Sequence, residues 1–193
     1  MKGSRGAGKR RRTGGAIEAM RRRRSYSSVT DDAPGKRELR QLLEAAASVA
    51  DHGSLRPWRV IALRGDARDR LGAAMAEAAG LEGSAAERFA AKPLRAPLLL
   101  AVVVSPKPSH KVPDWEQEAA ASGIAHALSL ALDDAGWAVM WRTGLQTRSD
   151  TVHRMHGLAP EERLLGWLYV GGKPKAKTER RKPINPKDFL SSL

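Results

Sequence analysis

The stretch from Asp114 to Asp134, DWEQEAAASGIAHALSLALDD, decides the architecture. Its centre, Ala119 to Leu132, runs 14 residues without a charge on any face and is rich in small side chains. A bilayer span needs about 20 such residues, so this segment is too short to cross one. A helix that is apolar all round has to be buried on every side. In a chain of 193 residues it is either a central core helix or one shared with a second subunit.

Working outward, the flanking segments supply strands and further helices. Before it, Leu98-Leu99-Leu100-Ala101-Val102-Val103-Val104 is a continuous apolar run of strand length. Trp58 to Leu63 reads as another strand, ended by Gly65-Asp66. Lys36 to about Ala50 predicts a helix, with Leu39, Leu42, Leu43, Ala46 and Val49 at helical spacing. Asp66–Ala79 and Ser84–Ala91 are Ala-rich helices parted by Gly80 and Gly83, and Ala16 to about Arg24 is a short one. After the central helix come a strand at Trp137–Trp141, a helix at Arg148–His156 and a last strand at Leu164–Val170. Helices and strands alternate without regular βαβ units, which predicts an α+β domain.

Charge divides the chain more sharply than hydropathy does. The net charge is +13, yet residues 1–30 hold +9 and residues 171–193 hold +5, leaving −1 for 31–170. A binding face for nucleic acid would spread its basicity over the body, so the division argues against such a partner. Residues 1–15 read as a disordered basic tail, 16–172 as the folded domain, and 173–193 as a basic extension. The GxxxxGK match at Gly3–Lys9 is followed by Arg10 rather than Ser or Thr and has no strand before it, so it is not a phosphate-binding loop. The chain has no cysteine, which removes disulfides and thiolate chemistry and fits a cytoplasmic setting. The basic start is not followed by the apolar run of a secretory signal, and no membrane association is expected.

Hydrolytic signatures are missing: there is no GxSxG, SxxK or HExxH. His153 and His156, three apart on a short helix, could chelate a metal, but no carboxylate sits at matching spacing, and a surface pair is the simpler reading. His126 lies in the apolar helix and reads as a hydrogen-bonded core histidine. His52 occupies a loop between helix and strand, where function concentrates. Arg21 to Arg24 followed by Ser25-Tyr26-Ser27-Ser28 suits a phosphate through guanidinium forks and hydroxyl donors. A basic helix end favoured by the helix dipole explains the same residues equally well. Trp141-Arg142-Thr143-Gly144 offers a further Arg/Thr pair at a strand exit.

These pieces occur in an order that resembles the nitroreductase family of FMN-dependent oxidoreductases. Arg23-Arg24-Ser25-Tyr26-Ser27 resembles its amino-terminal Arg-x-Ser element. Leu42 to Trp58 resembles its helix–loop–strand, which normally closes in Gln-Pro-Trp. His110 to Glu118, with Trp141-Arg142-Thr143-Gly144, resembles the compact bacterial subgroup. The resemblance implies a central mixed or antiparallel sheet sandwiched by helices, and an intertwined homodimer with FMN at the subunit interface. It implies ping-pong transfer of electrons from NAD(P)H through FMN to a small-molecule acceptor such as a nitroaromatic or quinone, with no side chain acting as a nucleophile. Carried over by position, Arg23, Arg24, Ser25 and Ser27 would hold the phosphate and ribityl end. His52 would approach the flavin, Trp141, Arg142 and Thr143 would complete the site, and Lys173 would add a phosphate contact. Arg56 stands where Gln is usual before Pro-Trp, at the flavin edge, and Ser48 stands where relatives can place an Arg. Two alternatives remain: a protein of this fold that binds flavin without turnover, and a polyanion-binding protein working through its basic termini.

Overall fold

The computed structural model describes residues 15–175 and 183–193; most of the expected amino-terminal tail and part of the carboxy-terminal extension lie outside the described residues. Helices α1 (Ala16–Arg22) and α2 (Lys36–Ala46) precede strand β1 (Trp58–Leu63). Helices α3 (Asp66–Ala78) and α4 (Gly83–Ala90) lead to β2 (Leu98–Val104), then α5 (Asp114–Asp134), β3 (Trp137–Arg142), α6 (Asp150–His156) and β4 (Arg163–Gly172). The four strands form one antiparallel sheet in the order β1-β2-β4-β3, so β1 and β3 are its edges.

Alternation along the inner strands sends successive side chains to opposite faces. Leu99, Ala101 and Val103 of β2 join Trp167 and Tyr169 of β4 under α3 and α6. Leu98, Leu100 and Val102 join Leu168 and Val170 under α2 and α5. β2 is buried on both faces, which is why its sequence is continuously apolar instead of alternating. The expected helix at Arg148–His156 is divided: a 3-10 turn covers Leu145–Arg148, and α6 begins only at Asp150 after extended Ser149.

α5 spans the residues its pattern predicts, but a single chain does not surround it. Its inner side, including Ile124, Ala125, Leu128 and Leu132, is fully buried. Trp115, 70% exposed, starts an outer stripe with Ala119, Ser122 and His126 at helical spacing. His126 is therefore not a core histidine: it is exposed, and its ring meets Trp141 edge-on at 5.1 Å between centroids. The reading of His153 and His156 as a surface pair is also corrected. His156 is buried, with Nδ1 2.7 Å from the Val152 carbonyl and Nε2 accepting from Trp167 Nε1 at 3.1 Å. Burial pushes its pKa down, so it sits neutral between two partners. Among the described residues no group of side chains could hold a metal ion. None of their helices is long and apolar enough to cross a membrane.

Two carboxylates close α5, where the helix dipole disfavours them. Cations from elsewhere offset this: Arg22 lies 2.7 Å from Asp134, and Lys173 Nζ lies 2.9 Å from both the carbonyl and Oδ1 of Asp133. At the opposite end of the sheet, Arg59 grips Glu162 with two hydrogen bonds of 2.7 and 2.6 Å, and Ala159 N donates a third. These bonds, Arg59 foremost, hold the Glu162 carboxyl at about 2. Its stabilisation is thus complete above the ordinary glutamate range, near 4.5, and is lost as pH falls towards 2. We expect urea stability to drop by on the order of 2–3 kcal/mol over that window from this group. Glu162→Gln should remove that part of the slope, and an unchanged slope in the variant would show that the pair contributes nothing.

Candidate active site

β3 organises the candidate site because one of its edges is free of other strands. The chain leaving α1 runs beside it, with Tyr26 N donating to Val139 O at 3.1 Å. The run of four arginines then separates by role. Arg22 is bound to Asp134, and Arg24 Nη1 donates to the carbonyls of Arg21, Arg22 and Arg23 at the end of α1. The helix-end reading thus accounts for Arg24. Arg23, half-buried, makes a single side-chain hydrogen bond among the described residues, of 3.4 Å to Ser25 Oγ, so this guanidinium and hydroxyl pair retains donors for an anion. Ser27 is exposed nearby. Lys173 is committed to Asp133, although its ammonium also lies 5.5 Å from the Tyr26 ring.

Further along β3 the alternation of the strand parts two of the expected residues. Trp141 packs with Val139 on the α5 side. Arg142 turns to the other face, where its guanidinium lies 5.2 Å over the Tyr169 ring. It borders a cavity of about 480 Å³ at the end of β3, roofed by α4 and the 3-10 turn Lys92–Arg95. Phe89, Lys92 and Arg95 line it from that roof, with Tyr169 and Met140 opposite. A 3-10 helix has three residues per turn, so Lys92 and Arg95 fall on one side. Thr143 closes the strand end and is exposed.

The electrostatics of the cavity are one-sided. Three cations line it and no carboxylate does. Arg142 Nε is buried with no hydrogen-bond partner among the described residues, and so is Trp141 Nε1. An orphaned buried donor is costly unless a ligand supplies the acceptor. Burial pushes the Tyr169 hydroxyl pKa up, opposed by Arg142 and Arg95, which keeps it a neutral donor. Such a site suits a flat aromatic ring with carbonyl acceptors on its edge. Lys92, Arg95 and Tyr169 belong to no motif that marks them in the sequence, although the spacing Phe89, Lys92, Arg95 fits one helical face.

His52 and Arg56 are not brought to this cavity within one chain. They precede β1, and β3 lies three strand spacings away, about 14 Å. His52 Nδ1 instead lies 2.7 Å from Glu116 Oε2 at the start of α5. Their loop is strained: Gly53, Ser54 and Arg56 have φ of 72°, 52° and 49°. Asp51 restrains it, accepting a 2.7 Å bond from Arg56 N. Left-handed non-glycine residues of this kind cost of order 1–3 kcal/mol each and concentrate at functional loops.

An antiparallel α+β sandwich with a cationic slot beside an edge strand places the chain in a definite class. It belongs to the nitroreductase family, whose model, described as "Nitroreductase family", matches residues 20–172. Among curated relatives, "Putative NAD(P)H nitroreductase YdjA" of Escherichia coli (strain K12) is 33% identical over 91% of this chain and 98% of its own length. A Haemophilus influenzae protein with the name "Putative NAD(P)H nitroreductase" is 29% identical over 92% and 99%. Among solved structures, a nitroreductase-like protein from Bacillus cereus superposes with a TM-score of 0.80 at 21% identity, over 92% of this chain and 95% of that one. The FMN and NADPH-dependent nitroreductase NfnB from sphigopyxis sp. strain HMH gives 0.73 at 18%, over 93% and 99%.

Proposed function

We propose that the protein is an FMN-dependent oxidoreductase that takes electrons from NAD(P)H and passes them to a small aromatic acceptor, nitroaromatic or quinoid. The observation that carries this reading is the cavity at the end of β3, with its unpaired Arg142 Nε and the Lys92 ammonium, lying along one strand edge from Arg23 and Ser25. Val139, beside which the Arg23–Ser25 segment runs, is three residues from Arg142, about 10 Å along the strand. That interval suits a cofactor with an anionic phosphate at one end and a planar ring at the other. The names of the relatives and of NfnB support the same reading.

FMN held here would supply the redox chemistry, hydride acceptance from the nicotinamide and electron delivery to a second substrate. The chain's residues bind and orient. Arg23 and Ser25 would donate to the phosphate, with Arg24 holding the end of α1 in place behind them. Lys92 and Arg142 would present positive charge and N–H donors to the ring's carbonyls, with Thr143 and Trp141 beside them. Phe89, Met140 and Trp167 exclude water from the apolar part.

The position of His52 favours assembly as a homodimer. In one chain it lies on the far edge of the sheet, so it would reach a flavin only from a partner. The uncovered stripe Trp115, Ala119, Ser122 and His126 on α5 is the face such a partner would bury. The purified protein should run as a yellow dimer, bind added FMN stoichiometrically in an absorbance titration, and be bleached by NAD(P)H. A nitroaromatic or quinone should restore the colour. A colourless preparation that takes up no added FMN would refute the assignment; retention of FMN without bleaching would leave a flavin-binding protein lacking turnover.

A further inference from the structure

Arg95 holds a charge that the cofactor reading does not use. It shares the cavity with Lys92 and Arg142, no carboxylate lines the same walls, and among the described residues Arg95 makes neither a side-chain hydrogen bond nor an ion pair. The cofactor's phosphate is provided for elsewhere, at Arg23 and Ser25. Its ring edge has Arg142, whose Nε is buried, and Lys92, whose ammonium sits 3.3 Å above the Phe89 centroid. Arg95 is different in being exposed, at the mouth of the slot, one 3-10 turn beyond Lys92. A cleft lined by one sign of charge focuses its field outward and raises the local concentration of the opposite ion.

We propose that Arg95 gives this site a preference for acceptors that carry a negative charge: aromatic nitro or quinoid compounds bearing a carboxylate, sulfonate or phenolate. The proposal rests on the flavin reading for the word acceptor, but the anion selectivity itself belongs to the cavity. The reaction is unchanged by it: NAD(P)H, a proton and the acceptor give NAD(P)⁺ and the acceptor reduced by two electrons, while the anionic group stays intact. Arg95 only orients and attracts. Because the charge is exposed, the preference should be screened by salt.

The test uses a matched pair, 4-nitrobenzoate and 4-nitrobenzamide, which differ in charge and little in shape. Nitroaromatics quench tryptophan emission, and Trp141 and Trp167 border the cavity. Binding can therefore be read by fluorescence without electron donor, on the protein as purified and again after adding FMN. We expect the benzoate to bind about five- to tenfold more tightly at low salt, from one partly screened charge pair, with the ratio falling towards one in 0.5 M KCl. Arg95→Gln should bring the ratio near one, chiefly by weakening the benzoate. With one common donor, kcat/KM for the pair should show the same ratio. Equal affinities in the unmodified protein, or a preference that survives Arg95→Gln, would overturn the proposal even if FMN binds. Anion preference in a protein that takes up no FMN would instead uphold the site and refute the flavin reading.

Discussion

Gly166→Ala is expected to lower stability by about 3 kcal/mol or more, adding a strained backbone to an overfilled site. Gly166 adopts φ of 136°, a conformation L side chains rarely take. It sits where β4 shifts register against β2, with Val102 opposite Gly166 and Val103 already opposite Leu164. The extra residue, Leu165, is a bulge, and glycine lets the strand bend there. A Cβ at Gly166 would be driven into the Arg142 carbonyl and lie 2.8 Å from Trp141 Nε1 and 3.0 Å from Thr143 Cγ2. All three atoms belong to the strand end that borders the cavity. Relief by shifting β3 would therefore move Arg142 and Thr143 and weaken cofactor binding together with the fold. Urea denaturation and an FMN titration on the same variant check both effects. A midpoint within experimental scatter of the unmodified protein would show that the bulge does not need glycine.

Arg23→Ala should weaken FMN binding by about 10- to 100-fold, the loss of one or two charge-assisted bonds to a phosphate. Its stability and dimerisation should be unaltered, because among the described residues the side chain of Arg23 hydrogen-bonds only its neighbour Ser25. Arg24→Ala makes an informative contrast. Arg24 serves three carbonyls at the end of α1, so its removal should loosen that helix first and the cofactor second. Size-exclusion chromatography beside the FMN titration separates the cases. Dissociation of the Arg23→Ala dimer with FMN affinity retained would mean that Arg23 is a structural residue and that the phosphate lies elsewhere.

Much of the fold was legible because its signals are local. β1, β2 and α5 have the bounds their sequences predict, since turn residues and proline punctuate each of them and the apolar runs match the strand and helix periods. The pattern over Arg148–His156 predicts a longer helix than forms, because Ser149 is extended, a backbone choice with no strong residue signal. His126 and His156 occupy the opposite environments to those their sequence neighbours predict, exposed and buried respectively. An apolar run tells which helix is buried but not which of its faces the rest of the chain leaves exposed, and a helix of seven residues can still turn one histidine inward against Trp167.

The site divides along the same line. Residue types mark the run Arg21 to Arg24 with its following hydroxyls, and the Arg142–Thr143 pair, as able to donate to an anion, and the family resemblance singles out Arg23, Arg24, Ser25 and Ser27. Which of four consecutive arginines stays available was decided by the positions of Asp134 and the α1 carbonyls, contacts set by packing over a long sequence separation. The cavity belongs wholly to the tertiary structure: it exists because the sheet order makes β3 an edge and carries the Lys92–Arg95 turn over Tyr169. Sheet order also sets His52 on the opposite edge from Arg142. Local pattern can specify each strand but not its neighbours, since pairing is a contest among whole-chain contacts, and it is pairing that decides which charges meet.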